Sequence, residues 1–476
     1  MDHFIKNIID SLKQKKVEYG DVRMVEYETE TIVLKNGIIE AITHTSSAGF
    51  GVRVIKDAAW GFSSSSQLKK TEADKVVRDA LSIARASAKV KGNPVVLAEL
   101  GRQQGTYETP LAIDPLAVPL SEKIDLLTAC DKNLRRDPKI RLSMAFMNAV
   151  RVKISFASTA GSWIVQRRTY CGGGIKAYAF DAGEMQTRTY DNYRQAGYEF
   201  IKSLELARES NRVAEEAVML LACKPCPSER ATLILDRSQM VLQVHESCGH
   251  PTELDRVLGT EASYAGTSFM TVDKLGSLQY GSAIVNIVAD ATVPGGLGTF
   301  GWDDEGVPAQ RVFLIKEGRF VGYQSSRETA PVVQGVSSGA MRADGWNRIP
   351  LIRMTNVNLV PGTWTLDGMV ADTKNGIYMT TNKSWSIDDK RLNFQFGCEI
   401  ARRIENGKFT ETYKNPTYAD MTPRFWNSCD ALGNEQSWHL FGVPNCGKGE
   451  PGQSAFVGHG TVPGRFRDVP VGIAKG

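Results

Sequence analysis

Thr232-Leu-Ile-Leu-Asp-Arg-Ser-Gln-Met-Val-Leu-Gln-Val-His-Glu-Ser-Cys-Gly-His250 reads as a strand, a tight turn and a helix within nineteen residues. The apolar run Thr232 to Leu235 suits a strand, and Ser238 is a suitable N-cap for a helix starting near Gln239. That helix carries His245-Glu246-x-x-x-His250. Histidines four apart lie about 40° apart around an α-helix and can share one metal; five apart they diverge by about 140°. The pattern therefore requires a bent or broken helix. Gly249 is permissive, and Pro251 disfavours the α region for His250. The helix is expected to end or distort near Cys248, turning His250 back toward His245. Glu246 would then face a metal-activated water as general base.

Outward from this segment, the two halves of the chain differ. The first half holds four amphipathic patterns: Phe4 to Lys15, Thr71 to Ala88, Ser121 to Arg136 with Ser121 as its cap, and Ile201 to Leu221. Strand-like runs lie between them at Asp21 to Tyr27, Thr31 to Lys35, Ile38 to Thr45 and Gly51 to Ile55, and Asn36-Gly37 is a strong hairpin signal. The pair of prolines in Ala222-Cys-Lys-Pro-Cys-Pro-Ser228 marks a boundary. Beyond it, strand patterns dominate, at 282–289, 311–315, 319–324, 351–359 and 376–381. The expected fold class is α+β. Residues 1–225 form an N-terminal domain of antiparallel sheet with helices. Residues 226–476 form a mostly antiparallel β domain, a barrel or sandwich, carrying the short His-Glu-x-x-x-His helix.

The chain has 476 residues, 42% hydrophobic and 23% charged, a globular composition with room for two or three domains. Its 57 basic and 53 acidic residues leave +4, too little for binding nucleic acid or a membrane by field alone. No apolar run approaches the roughly 18 residues of a membrane span, and the first residues do not read as a secretory signal. Eight scattered cysteines suit reduced thiols. The cytoplasm is the expected compartment.

A catalytic zinc takes three protein ligands and keeps one position for water. Cys446, His439, His459, Cys248 and Glu253 can each be the third. Context favours Cys446, whose flanking glycines would allow close approach and whose neighbour Lys448 would favour a thiolate. Glu253 could instead hydrogen-bond a ligand histidine or cap the next turn. Other motifs read as dull. Gly447-Lys-Gly-Glu-Pro-Gly452 has the glycines of a dinucleotide loop, but Pro451 argues against a following helix. Cys223-Lys-Pro-Cys226 lacks a second Cys-x-x-Cys and reads as linker. Asp303-Asp304-Glu305 is a solvated turn or a cation or amine site.

The chain resembles the TldD/PmbA metallopeptidases, also called modulators of DNA gyrase, over nearly its whole length. The resemblance rests on His245-Glu-Ser-Cys-Gly-His250 followed by Glu253, on Trp302-Asp-Asp-Glu-Gly-Val-Pro308, on Ser337-Ser-Gly339, on Arg353-Met-Thr-Asn356 and on Asn445-Cys-Gly-Lys448. Weaker echoes are Gly51-Val-Arg-Val54 and Trp60-Gly-Phe62. It implies zinc (Zn2+) held by His245, His250 and Cys446, with Glu246 as general base. Retention of all four residues resembles the catalytic TldD type rather than its paralogue. The resemblance further implies hydrolysis of unfolded or extended peptides, bound by strand addition, in a homodimer or a heterodimer with a paralogue. The alternative is a non-catalytic zinc-containing partner or regulatory subunit of a peptidase complex.

Overall fold

The computed structural model describes residues 2–90, 92–333 and 335–472. The first half is one seven-stranded sheet in the order β3-β2-β1-β5-β6-β4, with β7 also on β6. Its strands are β1 (Tyr19–Lys35), β2 (Ile38–Lys56), β3 (Ala59–Ser65), β4 (Gln104–Glu108), β5 (Ile140–Ser158), β6 (Trp163–Asp181) and β7 (Glu184–Arg194). The Asn36-Gly37 turn joins β1 to β2, as its hairpin signal predicts. The residue pattern suggests two strands in place of each of β1 and β2, whereas both run on unbroken. The acidic stretch of β1 is no interruption, because Glu26, Glu28 and Glu30 pair with Lys153, Arg151 and Lys123.

Helices cover one face of this sheet. Val22, Met24, Ile32 and Leu34 share that face by the two-residue period of a strand. The first two meet α1 (Asp2–Gln14) and α2 (Lys70–Ala88); the last two meet α3 (Leu120–Leu134), α4 (Tyr198–Ser203) and α5 (Leu206–Ala222). Two expectations change here. The helix expected over 201–221 is broken at Glu205, whose φ of +48° turns the chain so that Ile201 and Leu206 both reach the core. Ser121 does not cap α3; that position is Pro119, with no side-chain cap.

In the second half, five strands close into a ring. β9 (Glu229–Leu235) pairs in parallel with Asn375–Ile387 and antiparallel with Gly464–Gly472. Gly464–Gly472 pairs with Thr417–Met421, which pairs with Asn393–Glu405, which returns to Asn375–Ile387. Leu233, Leu235, Met379, Phe396, Tyr418 and Phe466 belong to the core that fills this half. The short strand β8 (Lys224–Pro225) joins the same sheet through Lys408–Lys414. A separate four-stranded sheet contains Ile287–Asp290, Arg311–Lys316, Arg319–Phe320 and Val357–Leu359.

The helix-free face of the first sheet packs on the second half, and the 302–308 motif makes the join. Asp303, Asp304 and Glu305 are buried, so neither the solvated turn nor an open cation site describes them. Asp303 closes its own turn by accepting N–H bonds from Glu305, Val307 and Met341. Asp304 accepts from Arg23 at 2.6 Å and from the Ala343 N–H. Glu305 accepts from the Arg327 N–H and lies 3.6 Å from Arg53, which grips Asp21. The Trp302 ring lies over Gly105, where an added Cβ would come within 2.5 Å of it. Asp304→Ala leaves a buried guanidinium without its carboxylate, a loss of about 3–5 kcal/mol. A lowered thermal midpoint with faster proteolysis is therefore expected. The double replacement Arg23→Met with Asp304→Leu should recover much of the loss, and additive losses in that pair would refute the coupling.

Candidate functional site

β9 delivers the chain into α6 (Arg237–Val244). Its N-cap is Asp236, not Ser238: the Asp236 carboxylate accepts from the Ser238 N–H at 2.8 Å and the Ser238 hydroxyl at 2.6 Å. Ser238 thus sits inside the first turn. A short aspartate one residue after a strand is as good a cap as a serine, which is why the sequence left the two open to confusion.

Along the buried side of the helix, Gln239, Gln243 and Ser247 form a polar ladder. Gln239 donates to the Tyr418 hydroxyl, which donates to Gln243 at 3.0 Å, and Gln243 donates to Ser247 at 3.3 Å. The Trp426 indole also donates to Ser247, at 2.9 Å. This ladder fixes the rotation of the helix about its axis and sends His245 to the other side.

The break appears in a different form from the one expected. His245–Gly249 is a single π turn, in which the His250 N–H reaches back to the His245 carbonyl five residues earlier. One such turn brings residue i+5 back over residue i. His250 itself remains α-helical, at φ −62° and ψ −43°, so Pro251 does not push it out of the α region. What Pro251 does is remove an N–H, and the Ser247 carbonyl accepts from the Tyr280 hydroxyl at 3.0 Å instead. Gly249 is needed for closeness rather than for a left-handed backbone, since a Cβ there would lie 2.1 Å from the Met354 sulfur.

With the π turn in place, the two imidazole centroids are 4.9 Å apart and nearly perpendicular. Cys446, on the strand His439–Lys448, brings its Sγ to 3.5 Å from His245 Nε2 and 3.6 Å from His250 Nε2. These three are the one group of possible metal ligands among the described residues. Zinc bond lengths of about 2.3 Å to sulfur and 2.0–2.1 Å to nitrogen set N···S edges of about 3.5 Å in a tetrahedron, so the donors fit.

Each imidazole is oriented by a partner on its Nδ1. His245 Nδ1 is 2.8 Å from His459 Nε2, and His459 Nδ1 bonds to the Val357 carbonyl at 2.9 Å. Since His459 Nδ1 must donate to that carbonyl, its Nε2 accepts, His245 Nδ1 donates, and His245 Nε2 keeps a free lone pair. His250 Nδ1 is 2.8 Å from Glu253, a wholly buried carboxylate. Glu253 therefore takes the histidine-bonding role; it heads the following helical turn without a side-chain cap.

Lys448 does not reach the thiol as expected. Its ammonium bonds to Asp255 and to the Ile352 carbonyl, each at 2.6 Å, and lies 3.5 Å from Glu253. The two imidazoles are what hold the Cys446 thiol well below its usual value, against the opposing effect of burial. Burial also opposes the charging of His250, but Cys446 and Glu253 raise it to about 9. Nor does Gly447, next to Cys446, serve close approach, as a Cβ there would meet nothing within 4 Å.

The remaining ligand candidates are engaged elsewhere. His439 contacts Asn192, and Cys248 is buried in the core, which pushes its thiol up. The 447–452 glycines lie at the end of the hairpin formed by His439–Lys448 and Gln453–Thr461, with no helix after them among the described residues. Cys223 and Cys226 are free thiols.

Glu246, buried beside the histidines, accepts from Arg391 Nη1 at 2.8 Å. Burial alone would raise its pKa, but His250, His245 and Arg391 outweigh that and lower it, so the carboxylate is the ionised form. The 353–357 segment supports the centre from behind. Arg353 donates to the Cys446 carbonyl at 2.5 Å, and Asn356 ties the Asp290 carbonyl to the Gly298 N–H. His459 as the partner of His245, and Arg391 as the partner of Glu246, have no signal in the order of residues.

Comparison with known proteins gives this geometry a context. Profiles of the PmbA/TldA metallopeptidases match domain 1 over residues 20–84, the central domain over 113–222 and the C-terminal domain over 228–464. A metalloprotease of Methanocaldococcus jannaschii is 31% identical over 93% of this chain and 94% of its own. A zinc metalloprotease TldD homologue of Saccharolobus solfataricus is 22% identical over 48% of each chain. The fold is that of a Thermotoga maritima crystal structure described as a modulator of a DNA gyrase, with TM-score 0.78, 18% identity and 99% of both chains covered. Among the described residues, no helix is long and apolar enough to cross a membrane. The chain is a metallopeptidase, and it belongs to the PmbA/TldD family.

Proposed function

We propose that this metallopeptidase is zinc-dependent, with His245, His250 and Cys446 holding the ion and Glu246 as general base. The observation that carries the reading is the placement of the Cys446 Sγ at tetrahedral-edge distance from both Nε2 atoms, with both Nδ1 atoms already occupied. When bound, zinc would supply a water acidified from far above neutrality to a pKa of about 7, together with polarisation of the substrate carbonyl. Glu246 takes the proton of the attacking water and returns it to the leaving nitrogen. His459 and Glu253 hold the imidazoles in the productive tautomer and orientation, and Lys448 balances the charge of Glu253.

A purely structural metal site would need a fourth protein donor. Cys248 or Glu253 could complete such a set, but Cys248 is buried in the apolar core and Glu253 bonds His250 Nδ1, which supports an open position and a catalytic role. Unfolded or extended peptides are the proposed substrates. Along the strand His439–Lys448, which carries Cys446, Asn192 bonds the Leu440 carbonyl and the Gly442 N–H and Arg353 bonds the Cys446 carbonyl, so these main-chain groups are already taken and an added peptide strand would have to pair elsewhere. The proposed assembly is a homodimer or a heterodimer with a paralogue, and the cytoplasm is the proposed compartment.

Cleavage of an unstructured protein substrate, its loss with chelator and its return with zinc together test the reading; chelator-resistant cleavage would refute it. Glu246→Gln should keep zinc while activity falls at least ~10²-fold. Cys446→Ala should lower the zinc stoichiometry, and a fully loaded variant would remove Cys446 from the ligand set. His459→Gln should weaken zinc binding by about 10- to 100-fold, as measured by competition with a chromogenic chelator.

A further inference from the structure

Arg391 lies at the tip of the hairpin between Asn375–Ile387 and Asn393–Glu405, far in sequence from the helix it serves. Its Nη1 donates to Glu246 Oε2 at 2.8 Å, and among the described residues it is the only cation in an ion pair with that carboxylate. Both side chains are shielded, Arg391 at 14% exposure and Glu246 at 9%. The Arg391 Nε is buried without a partner, so the guanidinium is not placed to satisfy its own hydrogen bonds.

The turn that presents Arg391 is held at every carbonyl. The Asp388 carbonyl accepts from the Arg391 N–H, that of Asp389 from Thr267 and that of Lys390 from Phe269, each at 2.8 Å. The Arg391 carbonyl accepts from the Thr422 hydroxyl at 3.1 Å, and the Leu392 carbonyl from the Thr422 N–H at 2.8 Å. The Asp388 carboxylate binds the Leu392 and Asn393 N–H groups from within the turn. Arg391 itself has φ of +61°, in the left-handed region that non-glycine residues rarely adopt. The chain retains a long cationic side chain where glycine would fit the backbone best. Strain of this kind, held in place by its surroundings, gathers where a side chain has a task.

The task follows from what a base requires. A glutamate rotates about three side-chain torsions, and a carboxylate that swings by 1 Å loses up to about 10²-fold in rate. A guanidinium fixed to Oε2 restricts that motion and leaves Oε1 to meet the water. We propose that Arg391 is the positioning residue of Glu246, setting the carboxylate in its working orientation from a rigid hairpin tip. This rests on the reading of Glu246 as the base.

Arg391→Gly is the informative variant, because glycine accepts the positive φ and deletes the guanidinium without straining the turn. It should fold, bind zinc at unchanged stoichiometry and lose about 10- to 100-fold in kcat, with KM within about threefold. Arg391→Lys should recover part of that loss. In the Glu246→Gln background, Arg391→Gly should cause little further loss, since its effect acts through the carboxylate. An unchanged kcat in Arg391→Gly, a loss confined to KM, or a fully additive loss in the double variant would overturn the proposal. Full activity in Glu246→Gln alone would instead remove the base assignment, and this proposal with it. If Arg391→Gly fails to fold, the kcat of Arg391→Lys and its coupling to Glu246→Gln decide the matter in the same way.

Discussion

The centre depends on one hydrogen bond, from the His250 N–H back to the His245 carbonyl. With that bond five residues long rather than four, two imidazoles that would point about 140° apart stand one above the other. The surrounding residues make the longer turn tolerable. Pro251 takes away an N–H that a regular helix would have used, Tyr280 satisfies the carbonyl left over, and Thr252 bonds back to the Cys248 and Gly249 carbonyls. The absence of a side chain at Gly249 lets Met354 close against the turn. Residues that break a helix in general terms here produce one defined irregularity.

Around the turn, charge is balanced in layers. An isolated buried carboxylate or ammonium loses several kcal/mol of hydration, so such groups persist inside a protein only when paired. Glu253, Lys448 and Asp255 are buried together, with the Ile352 carbonyl completing the contacts of the ammonium. Arg256 and Glu261 form another buried pair close in sequence, at 2.9 Å. On the other side, His459 and the Val357 carbonyl form a neutral chain to His245, and burial together with the neighbouring His245 keeps His459 uncharged. One histidine is thus backed by an anion and the other by a neutral ring, an asymmetry set by the folded environment.

The N-terminal sheet supplies a rigid wall for this half of the molecule. Its helix-free face meets the 302–305 motif through Arg23 and Arg53, and Tyr170 stacks on Phe456 at 4.7 Å. Phe456 follows Ala455, which pairs directly with Cys446, so the first sheet bears on the hairpin that carries the thiol. The acidic motif therefore joins the halves of the chain.

The pattern of residues by itself determined the α+β character, the amphipathic helices, the Asn36-Gly37 hairpin and the requirement that the helix break between His245 and His250. These are local consequences of period, turn chemistry and the 100° step of a helix. Motif resemblance pointed to Cys446, but no spacing rule could, because about two hundred residues separate it from His245. Only the tertiary structure decided that the break is a π turn, that His459 and Glu253 orient the two rings, that Lys448 bonds Asp255 beside Glu253 rather than the thiol, and that Arg391 meets Glu246. Each of those is a contact between segments distant in the chain. Their partners are chosen by how the closed strand ring and its hairpins pack in three dimensions, where sequence periodicity carries no information.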